Sequence, residues 1–494
     1  MTSADFGAPQ PPADRPPNQQ PEYQRPLSFW TKLAFGAGDL GPAITANITI
    51  FYQLIFLTNV AGIPAGLAGG VLLVGKIWDA VNDPMVGVWT DRTQSKRWGR
   101  RLPWLLYGAV PFGFFFFLMW LVPGLGGTSN WSPWMLFWYY VVVSAVGQIF
   151  YTVVNLPYTA MTPELTQDYD ERTQLNSFRF AFSIGGSILS LILALVITLM
   201  IPDDQAQQFV VLAAVCAIIS VLALFWCVFG VRKRALAFEG SRDRSSETEL
   251  PIGQQFKIAF SNRPFQFVIG IYLCSWLAVQ VTASVIPYFV VNCMGLKDAD
   301  VPPVLIGVQG TALLMLFVWS ALSKHFGKKF VYVAGGVVWI IAQFGLFFLQ
   351  PGQLGLLYLL AVMAGFGVST AYLVPWSMIP DVIELDELQT GQRREGVFYG
   401  FMVLLQKFGL ALGLFLVGQA LERSGFISAV AGEPIPVQPE TALMAIRWAV
   451  GPIPTVSLLC GLVLTFFYPI TREVHAEVLL KLAERRRLAA GSED

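Results

Sequence analysis

Twelve apolar runs follow one another between residues 33 and 469. Each is close to the ~20 residues an α-helix needs to cross a hydrocarbon layer. The expected spans are 33–58, 66–90, 102–123, 133–161, 177–201, 207–231, 265–291, 302–323, 329–349, 354–379, 396–421 and 444–469. The runs are continuous rather than alternating, which favours helices over a barrel. The fold class expected is therefore an all-α integral membrane protein. Composition agrees: 55% of the 494 residues are hydrophobic and 13% charged, where a soluble domain carries about a quarter charged residues. A soluble enzyme, a secreted disulfide scaffold and a disordered regulator are excluded. The 32 basic and 32 acidic residues cancel, so nothing favours a nucleic-acid partner.

Chemistry-bearing motifs are sparse. Cys216, Cys227, Cys274, Cys293 and Cys460 form no CxxC pair, so no disulfide or metal framework is expected. His325 and His475 lie far apart in sequence, which argues against a histidine-rich metal site. No HExxH or GxSxG element is present, so the chain does not read as an enzyme and no cofactor is expected. Gly36-Ala37-Gly38-Asp39-Leu40-Gly41 matches GxGxxG, but it opens an apolar helix without a preceding strand. Gly70 and Gly75-Lys76 approach a P-loop but lack the Ser/Thr that would hold magnesium. Close helix packing explains both sets of glycines better. Asn130-Trp131-Ser132 is a glycosylation sequon on an expected outer loop.

Basic residues set the orientation. Arg92, Lys96, Arg97, Arg100 and Arg101 follow helix 2; Arg232, Lys233, Arg234, Arg242, Arg244, Lys257 and Arg263 follow helix 6. Lys324, Lys328 and Lys329 follow helix 8, and Arg393 and Arg394 follow helix 10. The odd-numbered loops carry little beyond Lys297 and Arg423. The positive-inside rule then puts both termini in the cytoplasm, as twelve crossings also require. The domains expected are a disordered polar tail (1–28), a first bundle (29–231), a cytoplasmic linker (232–262), a second bundle (263–470) and an amphipathic tail (471–494). Val474, Val478 and Leu482 give that last tail an apolar face, expected to lie at the membrane interface.

Internal repetition supports the two halves. Gly99-Arg100-Arg101 after helix 2 echoes Gly327-Lys328-Lys329 after helix 8, and Pro163-Glu164 echoes Pro380-Asp381. Two pseudo-symmetric six-helix bundles about a midplane cavity resemble the major facilitator fold.

A charge at the bilayer centre costs roughly 3 kcal/mol, so buried charges mark function. On helix 2, Lys76, Asp79 and Asp83 share one face, with Asn82 beside Asp79. Two carboxylates and an amide oxygen suit sodium or lithium, and a carboxylate can equally take a proton. The alternative is a structural salt bridge of Lys76 with the acids. Asp39 on helix 1, Arg179 opening helix 5 and Lys407 in mid-helix 11 are further charges within or beside the spans. Thr152 and Asn155 of helix 4 taken alone read as packing contacts.

Three blocks carry a family resemblance. One runs from Trp78-Asp79 through Asn82-Asp83-Pro84 to Asp91-Arg92-Thr93 and Trp98-Gly99-Arg100-Arg101. Another joins Asn155, Pro157-Tyr158, Pro163-Glu164 and Asp170-Glu171-Arg172 to Arg179. The last holds Asp381, Glu384, Asp386-Glu387, Arg393-Arg394-Glu395 and Lys407. Together they resemble the glycoside–pentoside–hexuronide:cation symporter family, the sodium:galactoside group typified by melibiose permease. The resemblance implies sodium-, lithium- or proton-driven symport of a sugar or glycoside by a monomer in the cell membrane. It places the cation at Asp79, Asn82, Asp83 and Thr152, and substrate contacts at Asp39, Asn155, Arg179 and Lys407. The type member has an aspartate at the position of Asn155, a tryptophan at that of Thr159 and a polar pair at those of Met402 and Val403. Sodium-dependent lysophospholipid symporters share the pattern, so an amphiphile is the alternative substrate, with uncoupled facilitation behind it. The charged loops after helices 2, 4, 8 and 10 are expected to form ion pairs between the bundles on the cytoplasmic side.

Overall fold

The computed structural model describes residues 26–93, 95, 97–124, 131–166, 169–239, 257, 258, 260–391, 395–428 and 436–490. Residues 1–25 of the expected tail, Lys96, Asn130 of the sequon, Arg242, Arg244, Arg393 and Arg394 lie outside them.

The first half holds α1 (Phe29–Ala37 and Leu40–Asn59), α2 (Ala65–Arg92), α3 (Leu102–Leu118), α4 (Pro133–Ala160), α5 (Tyr169–Met200) and α6 (Gln205–Glu239). The second half holds α7 (Arg263–Tyr288), α8 (Val301–Phe326), α9 (Lys328–Phe348), α10 (Leu354–Thr390), α11 (Glu395–Arg423) and α12 (Glu440–Val450 and Pro452–Phe467). A last helix, α13 (Arg472–Ala490), follows. Ten of these stretches are long and apolar enough to cross a membrane, and Leu102–Leu118 is a shorter apolar helix. The remaining crossing, α2, is the one that carries Lys76, Asp79 and Asp83.

Five helix pairings recur in both halves. In the first, α2 packs on α4, α3 on α4, α3 on α6, α1 on α5 and α1 on α6; in the second, α8 packs on α10, α9 on α10, α9 on α12, α7 on α11 and α7 on α12. The halves meet through α2 with α11, α5 with α8 and α1 with α7. These contacts map onto one another when the halves are exchanged, so the fold is pseudo-symmetric.

Glycines set the tightest approaches within and between halves. A Cβ at Gly36 would sit 2.9 Å from the Phe178 carbonyl, and one at Gly38 would sit 2.3 Å from the Tyr158 ring. The GxGxxG match is therefore helix packing. Between the halves, Gly418 presses on Gly69 and on the Ala65 carbonyl.

Apolar packing shows where the halves close. One buried cluster crosses from Ile48, Phe56 and Tyr140 to Tyr288, Leu305 and Leu421. Toward the end bearing the basic loops it divides. Phe35, Leu102, Leu165 and Val231 form a cluster of the first half, while Phe265, Val382, Phe398 and Ile470 form one of the second.

At the basic end, ion pairs within each half join Arg100 and Arg101 to Glu164, and Lys328 to Asp381 at 2.7 Å. The sequence repeats thus make equivalent pairs, each after a glycine of positive φ, 72° at Gly99 and 83° at Gly327. The apolar face of α13 packs on α10, burying Val478 and Leu482 to 5% and 4% exposure and leaving Val474 at 37%. Burial against protein removes that face from the membrane interface.

Candidate functional site

The helix 2 charges converge on α4 and α11. Lys407 Nζ lies 3.0 Å from Asp79 Oδ2 and 2.5 Å from Asp83 Oδ2. Thr152 Oγ1 donates to Asp83 Oδ1 at 2.9 Å and lies 3.4 Å from Asp79 Oδ1. One oxygen of each carboxylate therefore faces the ammonium, and the other faces the hydroxyl. Asp79 and Thr152 are 2% exposed, while the Asp83 side chain keeps 27%. Asn82 is buried, and its amide donates to the Gln148 carbonyl of α4 at 3.4 Å. Pro84 lies inside α2 directly after Asp83; lacking an N–H, it leaves the Ala80 carbonyl without its helical donor.

The base in contact with both acids is Lys407 rather than the nearby Lys76. A salt bridge inside one helix was the alternative read from sequence; the observed one instead joins the two halves. Lys407 alone leaves one of the two carboxylate charges uncompensated, and Lys76 lies within electrostatic reach of both acids. Asp79 Oδ1, Asp83 Oδ1 and Thr152 Oγ1 form a corner of three oxygens, the ligand type that hard monovalent cations take.

Asp39 and Arg179 form a second pair, Arg179 Nε lying 3.2 Å from Asp39 Oδ2. The guanidinium lies 5.9 Å from the centroid of the Tyr158 ring. Tyr158 is fixed by its hydroxyl, which donates to the Phe35 carbonyl at 2.8 Å. Asn155, one turn beyond Thr152, is half-buried and makes no hydrogen bond among the described residues. Tyr151 of α4 is within electrostatic reach of Asp39, Asp79, Asp83 and Arg179. Both charged pairs therefore flank the same stretch of α4.

Sequence reasoning missed several residues here. Tyr151 read as one more aromatic in an apolar run. Gln309 of α8 donates to Asn47 of α1 at 2.7 Å, and Asn47 donates to Ser190 of α5 at 2.8 Å; no spacing signals such a link. Thr58 and Tyr288 join α1 to α7 at 2.7 Å. Conversely, Met402 faces away from the inter-half space. It is fully buried in the second half's own cluster and gives no measure of pocket polarity.

One further cluster lies at the basic end. His475 of α13 sits 2.6 Å from Glu384 and 3.4 Å from Asp381 of α10. Lys328 already takes both Asp381 oxygens, at 2.7 and 2.8 Å, so the group is an ion-pair network that anchors α13.

Residues 34–472 match the sequence family described as MFS/sugar transport protein. An uncharacterized symporter of Synechocystis, sll1374, is 51% identical over 93% of this chain and 98% of its own length. The sodium-dependent lysophosphatidylcholine symporter 1 of Xenopus tropicalis is 28% identical over 92% and 90%. Among solved structures, a bacterial homolog of the human lysosomal transporter Spinster superposes with a TM-score of 0.65 at 12% identity, covering 92% of this chain and 99% of that one. The fold is that of the major facilitator transporters.

Proposed function

Because this chain belongs to the MFS/sugar transport protein family, we propose that it is a cation-coupled symporter of the glycoside–pentoside–hexuronide type. Asp79, Asp83 and Thr152 take the coupling cation, sodium, lithium or a proton, with Asn82 beside them. Asp39, Asn155, Arg179 and Lys407 contact the substrate. The basic loops support an orientation in the cell membrane with both termini in the cytoplasm. The observation that carries the reading is the pair of acids on α2, Asp79 buried and Asp83 partly so, bridged across the halves by Lys407.

The geometry implies an order of events. With Lys407 on both Oδ2 atoms, the acids hold α2 to α11 and leave the Oδ1 corner for a cation. A cation in that corner competes with the ammonium for the same two carboxylates. It releases Lys407 toward a substrate that lies against Asn155, Asp39 and Arg179. Cation and substrate then raise each other's affinity by the same factor, and the halves rock about the site.

An amphiphile is the second reading, supported by the relatedness to the lysophosphatidylcholine symporter. Uptake of glycosides and lysolipids into vesicles, with and without a sodium or proton gradient, tests both. Uptake indifferent to every cation gradient would sink the coupled mechanism.

A further inference from the structure

The end of the molecule away from the basic loops holds a small cavity shared by the two halves. Tyr52 of α1, Thr198 of α5 and Gln205 and Gln208 of α6 line it from the first half. Pro287 of α7 and Asp298, just ahead of α8, line it from the second. Its volume is about 30 Å³, room for one or two particles the size of a water molecule. Helical rise puts Tyr52 about 20 Å along α1 from Asp39, so the cavity is separate from the charged pairs beside α4.

Two of these groups lack a partner. The Tyr52 side chain is 7% exposed, and its hydroxyl is buried without a hydrogen bond. Buried hydroxyls are almost always bonded, so one left over beside a polar cavity points to a ligand. Asp298 acts on that hydroxyl electrostatically, which places the hydroxyl on the cavity side of the ring. Asp298 accepts from the Gln205 amide across the halves at 3.3 Å. Among the described residues no lysine or arginine pairs with it, and Lys297 beside it is exposed. By contrast, Asp39, Asp79 and Asp83 each touch a base. A carboxylate drawn out of water without one carries an uncompensated charge. The remaining lining is rich in acceptors. The amide nitrogens of Gln205 and Gln208 are turned to Asp298 and to the Ile201 carbonyl, at 3.3 and 2.6 Å. Their side-chain oxygens accept no hydrogen bond among the described residues.

We propose that Asp298 and Tyr52 hold a second small monovalent cation, sodium or lithium, at the outer end, and that this cation clamps the halves shut there. Thr198, Gln205 and Gln208 complete its oxygen shell. Oxygen ligands with a single negative charge, around a hole of this size, suit a hard monovalent ion. A neutral water would satisfy Tyr52 but leave the Asp298 charge uncompensated. The ligands come from both halves, so the site exists only while this end is closed. A cation that binds the closed form alone favours it by mass action. The site shares no residue with the α2 corner, and either can fail without the other.

The test follows thermal unfolding of the full-length chain in detergent. Sodium or lithium replaces N-methylglucamine at fixed ionic strength, with potassium for comparison. Asp83→Cys, which removes the α2 corner, keeps a rise in unfolding temperature specific to sodium or lithium; Thr152→Ala takes its place if that variant does not fold. Adding Asp298→Asn lowers the remaining sodium affinity by about tenfold or more, and adding Tyr52→Phe lowers it by about threefold to tenfold. In sodium-free buffer neither addition lowers the unfolding temperature, because an unpaired charge and an unbonded hydroxyl are what they remove. The inference is overturned if the variant lacking the α2 corner shows no sodium response, if Asp298→Asn leaves that response intact, or if potassium stabilises as well as sodium. Each of these results would assign the cavity to an ordered water. Failure of the α2 reading looks different: Asp83→Cys then responds to sodium as the wild type does, while Asp298→Asn alone abolishes the response.

Discussion

Lys407 and Asp83 are 324 residues apart in the chain, yet the ammonium of one lies 2.5 Å from the carboxylate of the other. The pair bridges α2 and α11, the two helices whose glycines pack the halves together. An electrostatic contact sits at the pivot of the fold, so a change in charge at this point bears directly on how the halves meet.

Removing an acid removes the cation corner. Asp83→Cys and Asp79→Cys each lower cation-stimulated uptake in vesicles by about tenfold or more. Binding of substrate in the absence of cation falls much less. Uptake that keeps its sodium or proton dependence in both variants would place the cation elsewhere.

Removing the base leaves acids buried without their partner. Lys407→Met destabilises the protein by about 3–5 kcal/mol, the loss typical of breaking a buried ion pair from one side. Residual exposure of Asp83 puts the value toward the low end. Adding Asp83→Asn recovers part of the loss, and thermal unfolding of the two single variants and the double variant measures the coupling.

Steric pressure between α2 and α11 tests the closed end. A Cβ at Gly418 would lie 2.6 Å from the Ala65 carbonyl and 2.8 Å from the Gly69 Cα. Gly418→Ala therefore costs the present conformer about 1–3 kcal/mol. The expected readout is faster labelling of a cysteine placed at Gln205, next to Asp298 across the halves at 3.3 Å. Unchanged labelling would mean that this end opens by another route.

The terminal helix is held by two apolar side chains and by His475. Val478→Ser with Leu482→Ser withdraws the buried face of α13 from α10, at about 1.5–3 kcal/mol for each fully buried side chain lost. Hydrogen exchange across residues 472–490 then rises, while sodium binding at the α2 site stays as it was. Retained protection of α13 would show that the His475–Glu384 contact alone anchors it.

Much of this was legible in the chain. The crossing helices could be read because hydrocarbon demands continuous apolar stretches, and the expected span 66–90 lies within two residues of Ala65–Arg92 at either end. The helix ends were less visible: α10 runs to Thr390, well past the expected 379. Hydropathy registers where the apolar layer stops, whereas hydrogen bonding carries a helix on through Asp381, Glu384 and Asp386. The acids of α2 and the lysine of α11 stood out because charge inside an apolar run is expensive.

The sequence by itself determined which groups are costly and which helices carry them, since those properties are local and follow from spacing and composition. Tertiary structure alone decided that Lys407 rather than Lys76 bridges the acids. It also decided that Met402 is core, and that Tyr52 and Asp298 meet across the halves at one cavity. Each of these depends on the rotation of one helix against its neighbours. That rotation is set by glycine contacts and ring packing between distant segments, so no window along the chain contains it.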